Sequence, residues 1–337
     1  MVREHPWRAR VRHWRTPRDI APEALTLADL TDKVLGARRP LIVAGSGVVV
    51  SGADPGLRAL AAEARIGVYN TWRAKGVLPW DSDYHLGTIG LQARDLELCE
   101  LESYDLIVTT GLADGEQPVL PDGLPLADCP VADLEILAVR CADREGPETT
   151  EAPLRDRLAA VVQKAWGGAK PPLAPTLITR QYALLLGERG MVAADAGTAG
   201  FFLARTFPTL RPHSVELPSE PQPGFAARAV FARRAAEPGL PAVALVDGSA
   251  PDDATREAVA EAASRGISVP VVCWTPDGPQ VGIEDHLEDV RRAVAAGESH
   301  VVVVGYDPTQ LADLEHVAGD ITAWRQAVSG EYPPDTA

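Results

Sequence analysis

The chain has 337 residues, enough for two domains of ordinary size, and 46% of them are hydrophobic, so substantial cores can form. The formal net charge is -15, from 47 acidic and 32 basic residues, which excludes a general nucleic-acid binder because phosphate backbones require a basic face. No apolar run approaches the roughly 20 residues that span a bilayer, so no membrane partner is expected.

The opening MVREHPWRARVRHWRTPRD is Arg-rich but lacks the apolar stretch of a secretory signal. Residues 1–29 read as an N-terminal arm or linker whose arginines lie on this acidic body or on an acidic partner. Cys99, Cys129, Cys141 and Cys273 are scattered, with no CxxC and no zinc spacing. Buried reduced thiols in a cytoplasmic protein are the expectation.

A first domain is expected over 30–166. PLIVAGSGVVV (40–50) reads as a strand with the turn Gly45-Ser46-Gly47, and Leu57, Leu60, Ala61 and Ala64 place a helix over 53–65. IGVYNT (66–71) reads as a strand, 91–103 as a helix, YDLIVTTG (104–111) as a third strand and LEILAVRC (134–141) as a fourth. A helix over 154–166 then runs into GGAKPPLAP, whose Pro and Gly mark a linker at 167–175.

The second half repeats the pattern over 176–325. Helices are expected at 176–187, 198–207, 223–235, 252–265 and 284–296. Strands are expected at 191–197, 241–248, 268–275 and 300–308. Residues 326–337 carry no pattern and read as a frayed tail. Strands alternating with helices give an α/β protein with two doubly wound parallel-sheet domains, the first of them Rossmann-like.

Gly45, Gly47 and Gly52 give GxGxxxxG, which is either a tight strand-to-helix turn or a helix N-terminus that receives a phosphate of FAD or ADP. No acidic residue ends the second strand to hold a ribose, so NAD is not expected. There is no GxSxG elbow and no P-loop. His85, His213 and His286 stand apart from partners in sequence and are expected to be structural.

Two stretches together resemble one family. PLIVAGSGVVV, NTWRAKGVLPWDSDYHLGTIG and YDLIVTTG resemble the central domain of thiamine-diphosphate-dependent enzymes of the acetolactate synthase type, from about 38 to 116. The family's T-x-x-x-KG-x-x-P stretch, G-x-x-G turn and A-D-L-x-x-x-x-G strand fall on Thr71, Lys75, Gly76, Pro79, Gly87, Gly90, Asp105 and Gly111. The second half is similar to the family's diphosphate-binding domain, so that the resemblance spans about 30–310. Its D-x-G turn falls on Asp195 and Gly197, its G-F on Gly224 and Phe225, and its G-D-G on Val246-Asp247-Gly248, followed by Ser249.

The resemblance implies thiamine diphosphate bound through Mg²⁺, with Asp247 as metal ligand and a downstream Asn as a second. The Asn position falls near Thr275-Pro276, which leaves Thr275 as the available oxygen. Val246 replaces a glycine and is expected to crowd a diphosphate, and Pro223 stands where the family has a bulky apolar residue under the bent cofactor. The family's N-terminal domain carries the Glu that protonates the aminopyrimidine ring, and the residues ahead of the first domain leave no room for it, so that domain is expected on a separate chain. VRHWRTPRDIAP (11–22) resembles that domain's last strand and exit.

No residue of this chain is therefore assigned a catalytic role. Three readings remain. The chain is a subunit of a split thiamine-diphosphate-dependent enzyme for 2-oxo acid decarboxylation or C–C bond formation, with a separate pyrimidine-domain chain supplying the Glu. Or it is a non-catalytic structural or regulatory homologue. Or it is an FAD- or ADP-binding module using Gly45 and Gly47. A homo- or hetero-oligomer is expected in each case, since half a cofactor site per chain disfavours a monomer. Asp247 has a plainer alternative as the cap of the helix that begins near 251.

Overall fold

A computed structural model describes residues 25–113, 120–121, 123–146 and 151–324. The predicted arm up to residue 24, its exit-strand resemblance at 11–22 and the tail at 326–337 lie outside the described residues.

The first domain contains α1 (Leu27–Gly36), β1 (Pro40–Ala44), α2 (Ser46–Val50), α3 (Asp54–Glu63), β2 (Gly67–Thr71), β3 (His85–Ile89), α4 (Asp95–Leu98), β4 (Leu106–Thr110), β5 (Leu126–Asp128) and α5 (Leu134–Arg140). Its five strands pair in the order β3-β2-β1-β4-β5, and every pair is parallel. Helix α6 (Pro153–Lys164) leads to the second domain. That domain holds α7 (Pro175–Leu186), β6 (Met191–Ala194), α8 (Thr198–Thr206), β7 (Val215–Glu216), α9 (Phe225–Ala236), β8 (Ala242–Asp247), α10 (Asp253–Ser264), β9 (Val271–Thr275), α11 (Ile283–Ala295), β10 (Val301–Gly305) and α12 (Thr309–Ala318). Its sheet runs β10-β9-β8-β6-β7, again all parallel. Both are doubly wound α/β sheets, with helices over both faces.

Side chains alternate along each strand and sort into three cores. Ile42 and Ala44 of β1 face an outer core with Leu30, Leu57, Leu60 and Leu137. Ala244, Val246 and Cys273 face a second outer core under α9 and α10. Leu41 and Val43 of the first sheet join Val243, Leu245 and Trp274 of the second in one continuous inner core. The two domains thus share their largest apolar volume.

Several predicted elements are corrected. Residues 134–141 form helix α5 and not a strand, and the fourth neighbour in the sheet is the short β5. Leu134, Leu137, Ala138 and Cys141 are buried at a helical period, while Ile136 and Val139 face outward. The first strand stops at Ala44, and Val48–Val50 belong to α2. The predicted helix over 91–103 reduces to α4 and a 3-10 turn at Leu101–Ser103. Within the predicted linker, Leu173 is fully buried and bridges to Tyr306, and α7 begins at Pro175. Strands β3 and β7 and helices α1 and α12 were not expected.

All four cysteines are free and buried, as expected. His85 bonds Asn70, His286 bonds Tyr182 and His213 bonds Glu216, so each of these three histidines has a structural partner. Among the described residues no helix is long and apolar enough to cross a membrane.

Candidate functional site

The second sheet reverses its strand order between β6 and β8, and doubly wound folds bind ligands outside the carboxyl ends of their strands at that place. Asp195 follows β6 and Asp247 ends β8, so the structure brings these two carboxylates to the reversal.

Each carboxylate closes the start of a helix. Asp195 accepts from the Ala226 amide at 2.6 Å and the Gly224 amide at 3.2 Å, where α9 begins. Asp247 accepts from the Thr198 amide at 2.5 Å and the Ala199 amide at 3.0 Å, where α8 begins. Helix starts present unpaired N–H groups at the positive end of the dipole, so a carboxylate is stabilised there. The local sequence explains the arrangement. Gly197 precedes α8 and Gly224 precedes α9, and neither offers a side-chain cap. A carboxylate from a strand end fills each role instead. Gly197 also leaves the room, since a side-chain carbon there would stand 2.0 Å from Oδ2 of Asp247.

This revises the capping alternative. The helix after Asp247 is α10, and Asp252 caps it by accepting from the Thr255 amide at 2.7 Å. Asp247 is a cap, but of α8, which precedes it in sequence.

Burial raises the pKa of Asp195 to about 6, against the lowering effect of the Ala226 and Gly224 amides. Burial likewise raises Asp247 to about 6, and the neighbouring Asp195 adds to the rise. The residue surface of Asp247 is exposed at the lip while its carboxylate turns inward onto the α8 amides. A carboxyl that holds its proton more tightly when folded makes folding take up protons between the unfolded value of 3.8 and about 6. Stability is therefore expected to fall as pH rises through that window. Asp195→Asn keeps an oxygen for the amides and removes the charge. Urea unfolding at pH 4.5 and pH 7 should show a smaller loss across the window in this variant than in the wild type.

The other predicted site residues are placed as follows. Gly248 has φ +110° and donates its N–H to the Trp274 carbonyl, and Ser249 is exposed beside it. Thr275 lies in β9 next to Trp274, the partner of Asp247. Trp274 faces the inner core and Cys273 the outer one, so alternation turns Thr275 to the face opposite Asp247. The predicted metal pair Asp247 and Thr275 is thus not formed. Val246 is buried in the outer core and does not crowd the strand ends, which corrects that expectation.

Gly45 and Gly47 lie where the first sheet reverses, between β1 and β4. Their amides donate to the Thr110 and Gly111 carbonyls, at 2.9 and 2.8 Å. A side-chain carbon at Gly45 would meet the Gly111 oxygen at 2.4 Å, so the glycines serve close approach of two chain segments. Neither amide is free for a phosphate of FAD or ADP.

The residues at Asp195 and Asp247 do not fit a magnesium diphosphate. Both helix starts already donate to carboxylates, and Thr275 lies on the opposite face of the sheet from Asp247. A diphosphate would meet anions where it needs donors.

One charged pair escaped sequence reasoning. Arg205 of α8 and Asp95 of α4 form a buried ion pair between the domains, 110 residues apart, and nothing local in either segment announces it.

Comparison with known proteins agrees with this architecture. The family model described as thiamine pyrophosphate enzyme, central domain, matches residues 27–121. No curated protein matches the chain. Among solved structures, a protein from Mycobacterium smegmatis described as a thiamin diphosphate-dependent enzyme aligns with a TM-score of 0.65 at 16% identity, over 86% of this chain and 65% of that one. A thiamine diphosphate-dependent 4-hydroxybenzoylformate decarboxylase from Rhodococcus jostii RHA1 aligns with a TM-score of 0.62 at 16% identity, over 86% of this chain and 66% of that one. The chain therefore spans just under two thirds of the length of the structures it resembles. Residues 27–121 thus match the central domain of the thiamine-diphosphate-dependent enzymes, and the chain's two sheets share the fold of those enzymes.

Proposed function

We propose that the chain is a non-catalytic member of this family that stabilises or regulates a catalytically complete homologue. One observation carries the reading: at the strand reversal of the second domain, Asp195 and Asp247 occupy the amide donors of α9 and α8. A chain that closes its own anion-binding helix starts keeps the fold without the cofactor grip.

The test is thermal unfolding of the chain, and of any complex isolated with it under gentle conditions, with and without thiamine diphosphate and Mg²⁺. The expected result is an unchanged midpoint, and a native mass without thiamine diphosphate. Asp247→Ala should then cost about 1 kcal/mol of stability, the usual worth of a helix cap.

The split-enzyme reading has one observation in its favour, the position of Asp247 at a strand end beside the reversal. In that reading a partner chain supplies the catalytic Glu, and Asp247 swings from the α8 amides to a metal. Ligand at a hundred times its dissociation constant would then stabilise the complex by about 2.7 kcal/mol. Asp247→Ala would abolish that gain and the activity of the complex.

A further inference from the structure

A cavity of about 460 Å³ opens between the domains, at the C-terminal end of α8. Four of its lining residues are cations: Lys75 from the first domain, Arg155 on α6, Arg180 on α7 and Arg205 on α8. A chain of net charge -15 has few basic residues to spare, yet it gathers four of them here.

Lys75 is the central observation. It is only 5% exposed. Among the described residues it has neither a hydrogen-bond nor an ion-pair partner. An unpaired ammonium buried in a protein is costly, and such groups lose their charge or find a counterion. Burial, with Arg205 nearby, lowers its pKa to about 7.

Two further donors of the same lining are buried without acceptors, Nε of Arg205 and Nε1 of Trp166. The lining carboxylates do not answer these donors. Asp81 is exposed, and Asp156 is two thirds exposed beside Arg155 at 3.7 Å. His85 adds no charge, since burial and Lys75 push its pKa down to about 3. Arg205 is already held by Asp95 behind the wall and Arg155 lies beside Asp156, so Lys75 and Arg180 are the lining cations left without an anionic partner among the described residues.

Much of the remaining wall is apolar, interrupted by Thr88, Gln163 and Thr206. Leu154, Leu158 and Phe207 face the space, and Arg180 lies 4.7 Å over the Trp166 ring. The volume falls within the roughly 300–1,000 Å³ of small-molecule sites. Helix α8 has nine residues, so the cavity stands about 13 Å from the Asp195 and Asp247 end, by the helical rise. It is a separate place from the carboxylate pair.

We propose that this cavity binds a small organic anion, whose carboxylate or phosphate group pairs with Lys75 and Arg180 and whose apolar body lies against Trp166 and Phe207. The proposal does not depend on whether the second domain holds a cofactor.

Thermal unfolding and calorimetric titration of the full chain near pH 7 test it, with inorganic phosphate, benzoate and adenosine monophosphate as probes. Phosphate and adenosine monophosphate report a phosphate site, and benzoate a carboxylate site. At least one probe is expected to raise the unfolding midpoint and to bind with one-to-one stoichiometry. Lys75→Met retains the side-chain length without the charge. It should weaken that binding at least tenfold and leave the ligand-free protein no less stable than the wild type. Arg180→Gln, a change at a partly exposed position, should weaken binding as well. Binding that is unchanged in both variants overturns the proposal. So does the absence of binding by all three probes.

Discussion

Arg205→Met is expected to destabilise the protein by about 3–5 kcal/mol, the range for breaking one partner out of a buried ion pair. Both side chains of the Arg205–Asp95 pair are 1% exposed. One guanidinium nitrogen donates to both Asp95 oxygens, at 2.7 and 2.9 Å, and the other donates to the Thr88 carbonyl at 2.8 Å. Without the guanidinium, Asp95 keeps only the amides of Leu91 and Gln92 against a charge still shut away from water. Asp95→Leu combined with Arg205→Met should recover much of the loss, because both charges then leave together. Urea unfolding of the two single variants and the double variant measures the coupling. Additive losses would show that the pair contributes nothing as a pair.

Gly76→Ala should cost about 2–5 kcal/mol, from two sources that act together. Gly76 sits at φ +89°, where an L side chain is strained. A side-chain carbon there would also stand 2.1 Å from the Arg211 carbonyl oxygen, on the second domain. Backbone cannot yield as a flexible side chain does, so the domains would have to part locally. Gly52→Ala is the control. Its φ is +67° and nothing lies within 4 Å of the added carbon, so it should show only a conformational cost of about 1–2 kcal/mol. Equal midpoints for the two variants in thermal unfolding would refute the interdomain account. The Lys-Gly step of the family-like stretch thus has a physical reason at each residue. The lysine lines the cavity, and the glycine lets the second domain approach.

Much of the fold was legible in the chain. Runs such as PLIVA and VALV are long enough to be strands and apolar on both faces, as parallel sheets demand. LEILAVRC misled because a short apolar run fits either period, and only burial at Leu134, Leu137, Ala138 and Cys141 decides it. Strand β7 is two residues long and borrows its shape from pairing with β6, so no local pattern could mark it.

The candidate site was legible in its residues and not in their roles. Asp195 and Asp247 stood out by position in the chain. Their partners are amides 29 to 49 residues away, and a glycine before a helix does not say which distant oxygen will cap it. The cationic cavity draws on residues from 75 to 208, so it exists only once the domains are packed.

The inner core shared by the two sheets carries a consequence for how the gene product can be divided. A fragment cut between the domains would bare Trp72 and Leu91 on one side and Ile321 and Trp324 on the other, where the Trp72 and Trp324 rings meet edge to face. Such faces invite aggregation. The two halves are domains by topology and a single unit by solubility. Recombination or truncation between them would have to replace that face with another apolar partner and could not simply leave it open to water.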